Sequence, residues 1–190
     1  SGISGSSVLK INDTHFVVSY YYTDGRSKVC QYSGKTISSC GSESIFNSDG
    51  TSFVTSVLTD SDTFVVSFQD SGNSYKAKSI VGNISGTTIS FGSQYVVNNA
   101  YSTHISSTLF DGKLLVAYKD DGGSGYGNCK IGTISTDTIS FGSEFEFNGG
   151  TSSYISARSI DNFITISFTN GGSTNDGTTS LLYYNEGSLT

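Results

Sequence analysis

The segment TISFGSQYVVN at residues 88–98 returns almost unchanged as TISFGSEFEFN at residues 138–148. An apolar segment repeats with similar spacing, as FVVSY (16–20), FVVSF (64–68), LLVAY (114–118) and ITISF (164–168). A period of about 50 residues that contains several short strands is typical of β-propellers, whose blades are four-stranded sheets. The repeat divides the chain into units at 16–63, 64–113 and 114–163, with partial units at 1–15 and 164–190.

Composition favours strands over helices. Tyr, Phe, Val, Ile, Ser and Thr dominate, whereas the strong helix formers Ala, Leu and Glu are scarce. In the second unit the pattern predicts strands at 64–69, 74–81, 88–97 and 104–110, with turns at 70–73, 82–83, 98–99 and 111–112. We predict an all-β fold, a single β-propeller domain over residues 1–190 with about four blades, each a four-stranded antiparallel sheet of about 50 residues.

The alternation within the apolar segment predicts its place in a blade. Large residues such as Phe64, Val66 and Phe68 share one face of the strand. The fourth position is small in every copy: Ser19, Ser67, Ala117 and Ser167. Because blades crowd together near the axis of a propeller, this column predicts that the segment is the innermost strand.

The quoted segment is then the third strand, with Ile89 and Phe91 pointing between stacked sheets and Gly92 at a bulge or close backbone approach. The pairs Phe91-Gly92 and Phe141-Gly142, with the DG-rich hairpins, resemble extracellular β-propeller repeat proteins, broadly the integrin-type FG-GAP class. That class normally carries a D-x-D-x-D-G calcium loop, which the DDGG sequence at 120–123 does not supply. We therefore expect no metal and no other cofactor.

One third-strand equivalent is unaccounted for at the ends of the repeat. The chain opens with a fourth strand at 8–12 and ends after the second strand of another unit, near Tyr184. Three alternatives remain open: residues 1–190 are a window of a longer repeating chain, a neighbouring molecule donates the strand, or the ring closes with four blades. We expect partners that are other protein subunits or copies of this chain, with glycans as the alternative.

The cysteines indicate an oxidising compartment. Cys30 on the second strand and Cys40 on the third are expected to face each other and form a disulfide. Cys129 is either a buried free thiol or joined to a partner outside the chain. Sequons at Asn12 and Asn83 permit N-glycosylation. We expect an extracellular or cell-surface protein.

Charge and hydropathy exclude two classes of partner. The net charge is -6, and the ten basic side chains form no stripe, which argues against nucleic acid. No apolar run reaches the roughly 20 residues of a membrane-spanning helix, so we expect no membrane insertion.

Catalytic patterns are weak in the sequence. His15 and His104 lie far apart, and neither has a Cys or His at metal-ligand spacing. Sialidases need three arginines to grip a carboxylate, whereas this chain has only Arg26 and Arg158. We therefore expect no enzyme and no catalytic residue.

The loops after the apolar segments lie at one rim and combine aromatic residues with Asp and Asn. Aromatic rings stack on sugar faces, and carboxylates and amides bind hydroxyls, but the same residues are preferred in tight turns. The main expectation is a non-enzymatic structural or adhesive module of a larger assembly or filament. The alternative is a carbohydrate-binding, lectin-like propeller. Its candidate ligand residues are Tyr22, Asp24, Asp70, Asn73, Asp120, Asp121 and Tyr126.

Overall fold

The computed structural model describes residues 5–161, 163–171, 176–185 and 188–190. Within these ranges the regular secondary structure consists of strands and one 3-10 turn at Ser71–Asn73, so the all-β prediction is confirmed. The strands are β1 (Ser6–Lys10), β2 (His15–Tyr21), β3 (Gly25–Ser33), β4 (Thr36–Cys40), β5 (Ser44–Asn47), β6 (Thr51–Leu58), β7 (Thr63–Asp70), β8 (Lys76–Ser85), β9 (Thr88–Phe110), β10 (Lys113–Asp120), β11 (Tyr126–Ser135), β12 (Thr138–Ile160), β13 (Phe163–Asn170), β14 (Asp176–Leu182), β15 (Tyr184–Asn185) and β16 (Ser188–Leu189).

Antiparallel pairing arranges these strands into four similar units. Unit A contains β1 to β5. Unit B contains β6, β7, β8 and the first part of β9, and unit C contains the second part of β9, β10, β11 and the first part of β12. Unit D contains the second part of β12 with β13 and β14. β9 and β12, of 23 residues each, therefore run from the last strand of one unit into the first strand of the next.

The order of strands within a unit differs from the prediction. The apolar segment forms the second strand of each unit, as β7 does between β6 and β8. The strands that meet their counterparts in neighbouring units are the first ones, here called the inner strands. The Ser7 Oγ accepts from the Ser56 N–H at 3.0 Å, and the Ser106 Oγ accepts from the Ala157 N–H at 2.9 Å.

The small column of the apolar segment has a different cause from the one predicted. Its hydroxyls form hydrogen bonds inside a unit, since Ser19 Oγ lies 2.8 Å from Ser27 Oγ and Ser67 Oγ lies 2.8 Å from Ser79 Oγ. Ser167 Oγ lies 3.1 Å from Thr179 Oγ in the same way, whereas Ala117 stands opposite Cys129, so three of the four small side chains belong to cross-strand hydroxyl pairs. Crowding at an axis is not the reason.

Two predicted turns are also wrong. β8 continues through residues 82–83 as far as Ser85, and β9 continues through residues 98–99. Gly82 does not make a turn; a Cβ there would lie 2.6 Å from the Phe64 ring and 2.8 Å from the Phe91 ring. Its role is to give both rings room.

Apolar side chains form three core clusters, one between each pair of adjacent units. Ile89 is buried in the cluster between units A and B, and Ile139 in the one between B and C, as predicted. Register shifts occur opposite Gly92 and Gly142, which confirms the predicted bulges. In the cluster between units C and D, Tyr184 and Leu189 of the β15–β16 hairpin pack where the other units use their last strand.

The predicted disulfide between Cys30 and Cys40 is present. These residues pair at the position where the next two units pair Gly82 with Phe91 and Gly132 with Phe141, so the disulfide replaces a ring contact. Cys129 is a buried free thiol, and burial raises its pKa to about 12. It pairs with Phe145, and the equivalent of Cys30 in that unit is Gly132, three residues further along the strand.

Candidate functional site

One rim of the molecule collects the loops that follow the second strands and the starts of the inner strands. The two meet because β6 and β7 are antiparallel, so that Thr51 pairs with Asp70. Ser102 pairs with Asp120, and Ser152 with Asn170, in the same way. The predicted ligand loops therefore lie beside the beginnings of the inner strands.

Two of the predicted carboxylates are part of the turn structure at this rim. Asp70 is 2% exposed, and its Oδ1 accepts from Asn47 Nδ2 at 3.3 Å. Asp120 accepts from Asn98 Nδ2 at 3.1 Å in the same manner. The asparagines also donate to the hydroxyl that opens the next inner strand, as Asn47 does to Thr51 at 2.9 Å. A ligand role for Asp70 and Asp120 stays a prediction, whereas their role in joining units is observed.

The other predicted ligand residues differ in accessibility. Asp24 is 9% exposed and binds the Arg26 guanidinium through both oxygens, at 2.8 and 3.0 Å. Arg26 accordingly holds the pKa of Asp24 below its usual value. Tyr22 and Asn73 are exposed, and Tyr126 is half-buried at the start of β11. The predicted ligand residues thus do not form one cluster around an open site.

Asp121 belongs to a different group on the inner side of the rim. Its carboxylate lies 2.6 Å from Lys119 Nζ and accepts a hydrogen bond from the Thr103 hydroxyl. Thr103 precedes His104 on the inner strand of unit C. This places a paired cation and anion next to His104.

The ring of His104 lies in a line of three aromatic side chains that crosses three units. We call these side chains, Phe53, His104 and Tyr154, the aromatic row. The ring centroids of Phe53 and His104 are 5.3 Å apart, and those of His104 and Tyr154 are also 5.3 Å apart. Tyr154 is 78% exposed. The three rings occupy equivalent positions on the inner strands of units B, C and D. The row is therefore a continuous aromatic surface, open to solvent at the Tyr154 end.

The backbone of the row is strained. Phe53, His104 and Tyr154 have φ values of 51°, 50° and 52°, a left-handed conformation that bulky residues seldom adopt. Each lies at a shift in the register between inner and second strand. Strained residues of this kind cost on the order of 1–3 kcal/mol each and cluster at functional sites. Strain repeated at three equivalent aromatic positions marks the row as the candidate site.

The His104 ring is held as a neutral imidazole. The Tyr154 N–H donates to His104 Nδ1 at 3.1 Å, so the ring proton resides on Nε2. The pKa of His104 is lowered, first by burial and then by the positive charge of Lys119, while Asp121 acts in the opposite direction. The neutral ring can therefore pack against its two aromatic neighbours.

The lowered pKa predicts a pH dependence of stability. The unfolded chain binds a proton at His104 at a higher pH than the folded chain does. Its contribution to the unfolding free energy is therefore complete above a pH of about 6.5 and is lost as the pH falls further. Urea unfolding from about pH 8 to pH 5 should show less loss at low pH in His104→Gln than in wild type, since glutamine can still accept from Tyr154. Superimposable pH profiles would contradict this assignment.

Other polar features lie away from the row. A cavity of about 380 Å³ is lined by Phe110, Asp161 and Tyr184, and another of about 370 Å³ lies between the inner strands and includes Arg158. Within the described ranges, His, Cys, Asp and Glu form no group of three that could hold a metal ion. The same part of the chain contains no helix long and apolar enough to cross a membrane.

The two sequons differ in their surroundings. Asn12 is exposed in a hairpin, and its Oδ1 accepts from the Thr14 and His15 amides. The half-buried Asn83 donates to Asp137 at 2.7 Å, which ties two units together. Glycosylation of either residue stays a prediction.

The aromatic row was not among the predicted site residues. Its members recur at intervals of about 50 residues, like the rest of the repeat, and a comparison of the inner strands alone would have aligned them. The predicted ligand residues lie instead in the Asp-Gly and Asn-Gly loops, where such residues serve mainly to make turns.

No protein-family model matches the chain, and no curated protein sequence matches it. Solved structures are similar in fold: a NanB sialidase variant from Streptococcus pneumoniae has a TM-score of 0.62 at 15% identity, over 96% of this chain and 29% of that one. The structure of NanB with Optactamide has a TM-score of 0.59 at 15% identity, and the match covers 96% of this chain and 29% of that chain. The Bacteroides ovatus protein described as Xyloglucan PUL GH43B has a TM-score of 0.56 at 14% identity, and the match covers 94% of this chain and 38% of that chain.

These similarities show a fold shared with β-propeller glycoside hydrolases, of which this chain spans about a third of the length. They overturn two expectations. The interpretation as a non-enzymatic structural or adhesive module is wrong, because the solved structures that share the fold include the NanB sialidase and the GH43B protein. The exclusion of an enzyme is wrong for the same reason. The carbohydrate-binding alternative agrees better with these neighbours, while the FG-GAP resemblance stays a prediction.

Proposed function

We propose that the chain is a carbohydrate-active β-propeller whose units A to D are blades and which binds a neutral glycan on the aromatic row. The observation that carries this proposal is the row itself, three contiguous rings on strained backbone at the rim where the inner strands begin. The shared fold with glycoside hydrolases supports the same class of ligand.

The chemistry of the row suits a sugar ring. The apolar face of a pyranose stacks on an aromatic ring, and the exposed ring of Tyr154 offers such a face. Lys119, Asp121 and Thr103 lie beside His104 and can bind sugar hydroxyls, as can the Nε2–H of His104. The site combines an apolar platform with a few polar groups, as ligand sites generally do.

Charge favours a neutral glycan over an anionic one. Lys119 is paired with Asp121, and the rim carboxylate Asp70 is paired with Lys78. The chain as a whole carries a net charge of -6, which repels anionic ligands. Asp121, the carboxylate beside His104, is held in place by Lys119 and Thr103. The Cys30–Cys40 disulfide supports an extracellular site of action.

The test is a calorimetric titration with cellohexaose, xylohexaose, mannohexaose, xyloglucan oligosaccharides and sialyllactose, with the same samples assayed for released reducing ends. We expect saturable binding of a neutral glycan and weaker binding of sialyllactose. Tyr154→Ala should weaken binding about tenfold, which corresponds to about 1.4 kcal/mol. The matched control is Tyr183→Ala, which removes another exposed tyrosine whose ring contacts that of Phe163 away from the row. Absence of binding to the whole panel, or equal binding by Tyr154→Ala and wild type, would overturn the proposal.

A further inference from the structure

Two tyrosines form a second exposed aromatic surface at the same rim. The rings of Tyr75 and Tyr101 lie 5.0 Å apart at an interplanar angle of 49°. They are 48% and 45% exposed, so that both rings remain accessible although they contact each other. Contiguous exposed apolar surface is uncommon on soluble proteins and marks interaction sites and ligand-binding grooves.

The fold does not require either tyrosine. The Tyr75 carbonyl accepts from the Ser102 N–H, and in the next unit the Gly125 carbonyl accepts from the equivalent Ser152 N–H. The Tyr101 carbonyl accepts from Gly122, and the Thr151 carbonyl accepts from Gly171 in the same way. Glycine and threonine therefore satisfy the same backbone positions one unit later.

Tyr75 also occupies a backbone conformation that suits glycine. Its φ is 59°, and that of the preceding Ser74 is 56°, while the equivalent Gly125 has a φ of 75°. A side chain in the left-handed region is strained, whereas glycine adopts this region freely. The chain thus carries a strained, exposed tyrosine at a position where glycine would be more stable. An exposed aromatic residue that lowers the stability of the fold is typical of a binding site.

The pair is close to the aromatic row. Tyr101 lies three residues before His104 on the same strand, and the Gly122 N–H that binds its carbonyl follows Asp121 directly. Lys76 at the start of β8 pairs with Tyr101, which fixes Tyr75 beside it. One extended ligand can reach both surfaces along this rim.

We propose that Tyr75 and Tyr101 form a second sugar-stacking subsite, so that the glycan bound by this chain is a linear oligosaccharide that runs from the aromatic row across the rim. This inference rests on the proposed function and adds that the bound glycan is long enough to contact both aromatic surfaces. A disaccharide is accommodated by the row, and a longer chain also gains the contacts of the tyrosine pair.

The test compares Tyr75→Gly and Tyr101→Thr, which install the residues of the next unit, with wild type. Calorimetry uses cellohexaose, xylohexaose and mannohexaose with the corresponding disaccharides, and thermal unfolding is measured on the same proteins. Tyr75→Gly should raise the melting temperature and weaken hexasaccharide binding about tenfold while disaccharide binding is unchanged. Tyr101→Thr should show the same selective loss in binding.

Asp111→Gly is the matched control, because Asp111 also has a left-handed backbone, with a φ of 47°, but lies in the hairpin between β9 and β10 at the opposite rim. It should raise stability and leave binding unchanged. Equal affinities of wild type and Tyr75→Gly for the hexasaccharide would overturn the inference while leaving the proposed function intact. Absence of any binding by wild type would overturn both.

Discussion

Asp70→Ala is expected to lower the free energy of unfolding by about 3–5 kcal/mol, the usual cost of breaking a buried ion pair. Asp70 Oδ2 lies 2.7 Å from Lys78 Nζ, and the two side chains are 3% and 10% exposed. The variant would leave the ammonium of Lys78 buried with Gln94 as its remaining partner. Asp70 also accepts from Asn47 and from the Gly72 N–H, so the turn after β7 would lose its cap.

Asp120→Ala is the matched control for the charge. Asp120 holds the equivalent position and binds Asn98, but the residue of its unit that corresponds to Lys78 is Asn128, so this position supplies no lysine for an ion pair. We expect a loss of about 1 kcal/mol, the value of a hydrogen bond. Urea unfolding measures both variants, and Asp70→Ala with Lys78→Met should recover most of the loss. Equal losses in Asp70→Ala and Asp120→Ala would show that the ion pair contributes nothing specific.

The loss of stability expected in Asp70→Ala also affects how glycan-binding measurements on this variant should be interpreted. Asp70 and Asp120 are the residues that a rim-loop binding hypothesis would replace first. Loss of glycan binding in Asp70→Ala would follow from a damaged rim, because the same carboxylate joins units A and B through Asn47. Tyr154 and Tyr75 are better probes of binding, since both rings are exposed and their contacts are with neighbouring rings rather than with a buried charge.

The sequence predicted the repeat, the all-β class and the buried columns, because these follow from local alternation and spacing. Phe64, Leu114 and Ile164 share one predicted column, and all three are 0% exposed. The order of strands within a unit was not predictable in this way. When an antiparallel meander repeats along the chain, the sequence pattern is the same whichever strand is taken as the first of a unit. Only the contacts between units show which strand is the inner one.

The site was missed for physical reasons of a different kind. The partners of the rim carboxylates are remote in sequence, as Asn47 is from Asp70, so their structural role leaves no local signal. The aromatic row lies at bulges, where the register of the inner strand shifts and simple alternation fails. The disulfide was predictable because Cys30 and Cys40 stand in the place of a glycine and an aromatic residue that recur in the other units.

Truncation of a buried residue in the predicted apolar column is expected to cause the second large loss of stability. Phe64→Ala should lower the free energy of unfolding by about 3–5 kcal/mol, because the cavity between units A and B cannot collapse around it. The Phe64 ring is 0% exposed, packs edge-on against Phe91 with centroids 5.9 Å apart, and fills the space beside Gly82. Its loss would also remove contacts of Phe91.

Phe16→Ala provides the control at the same strand position. In unit A, Phe16 is half-buried on the face that points away from unit B, with Tyr32 as its aromatic neighbour at 6.0 Å. Partial burial should reduce the loss to about 1–2 kcal/mol. Urea unfolding of the two variants under identical conditions measures the difference. A loss in Phe16→Ala as large as that in Phe64→Ala would contradict the half-exposed environment of Phe16, because only a fully covered ring loses that much on truncation.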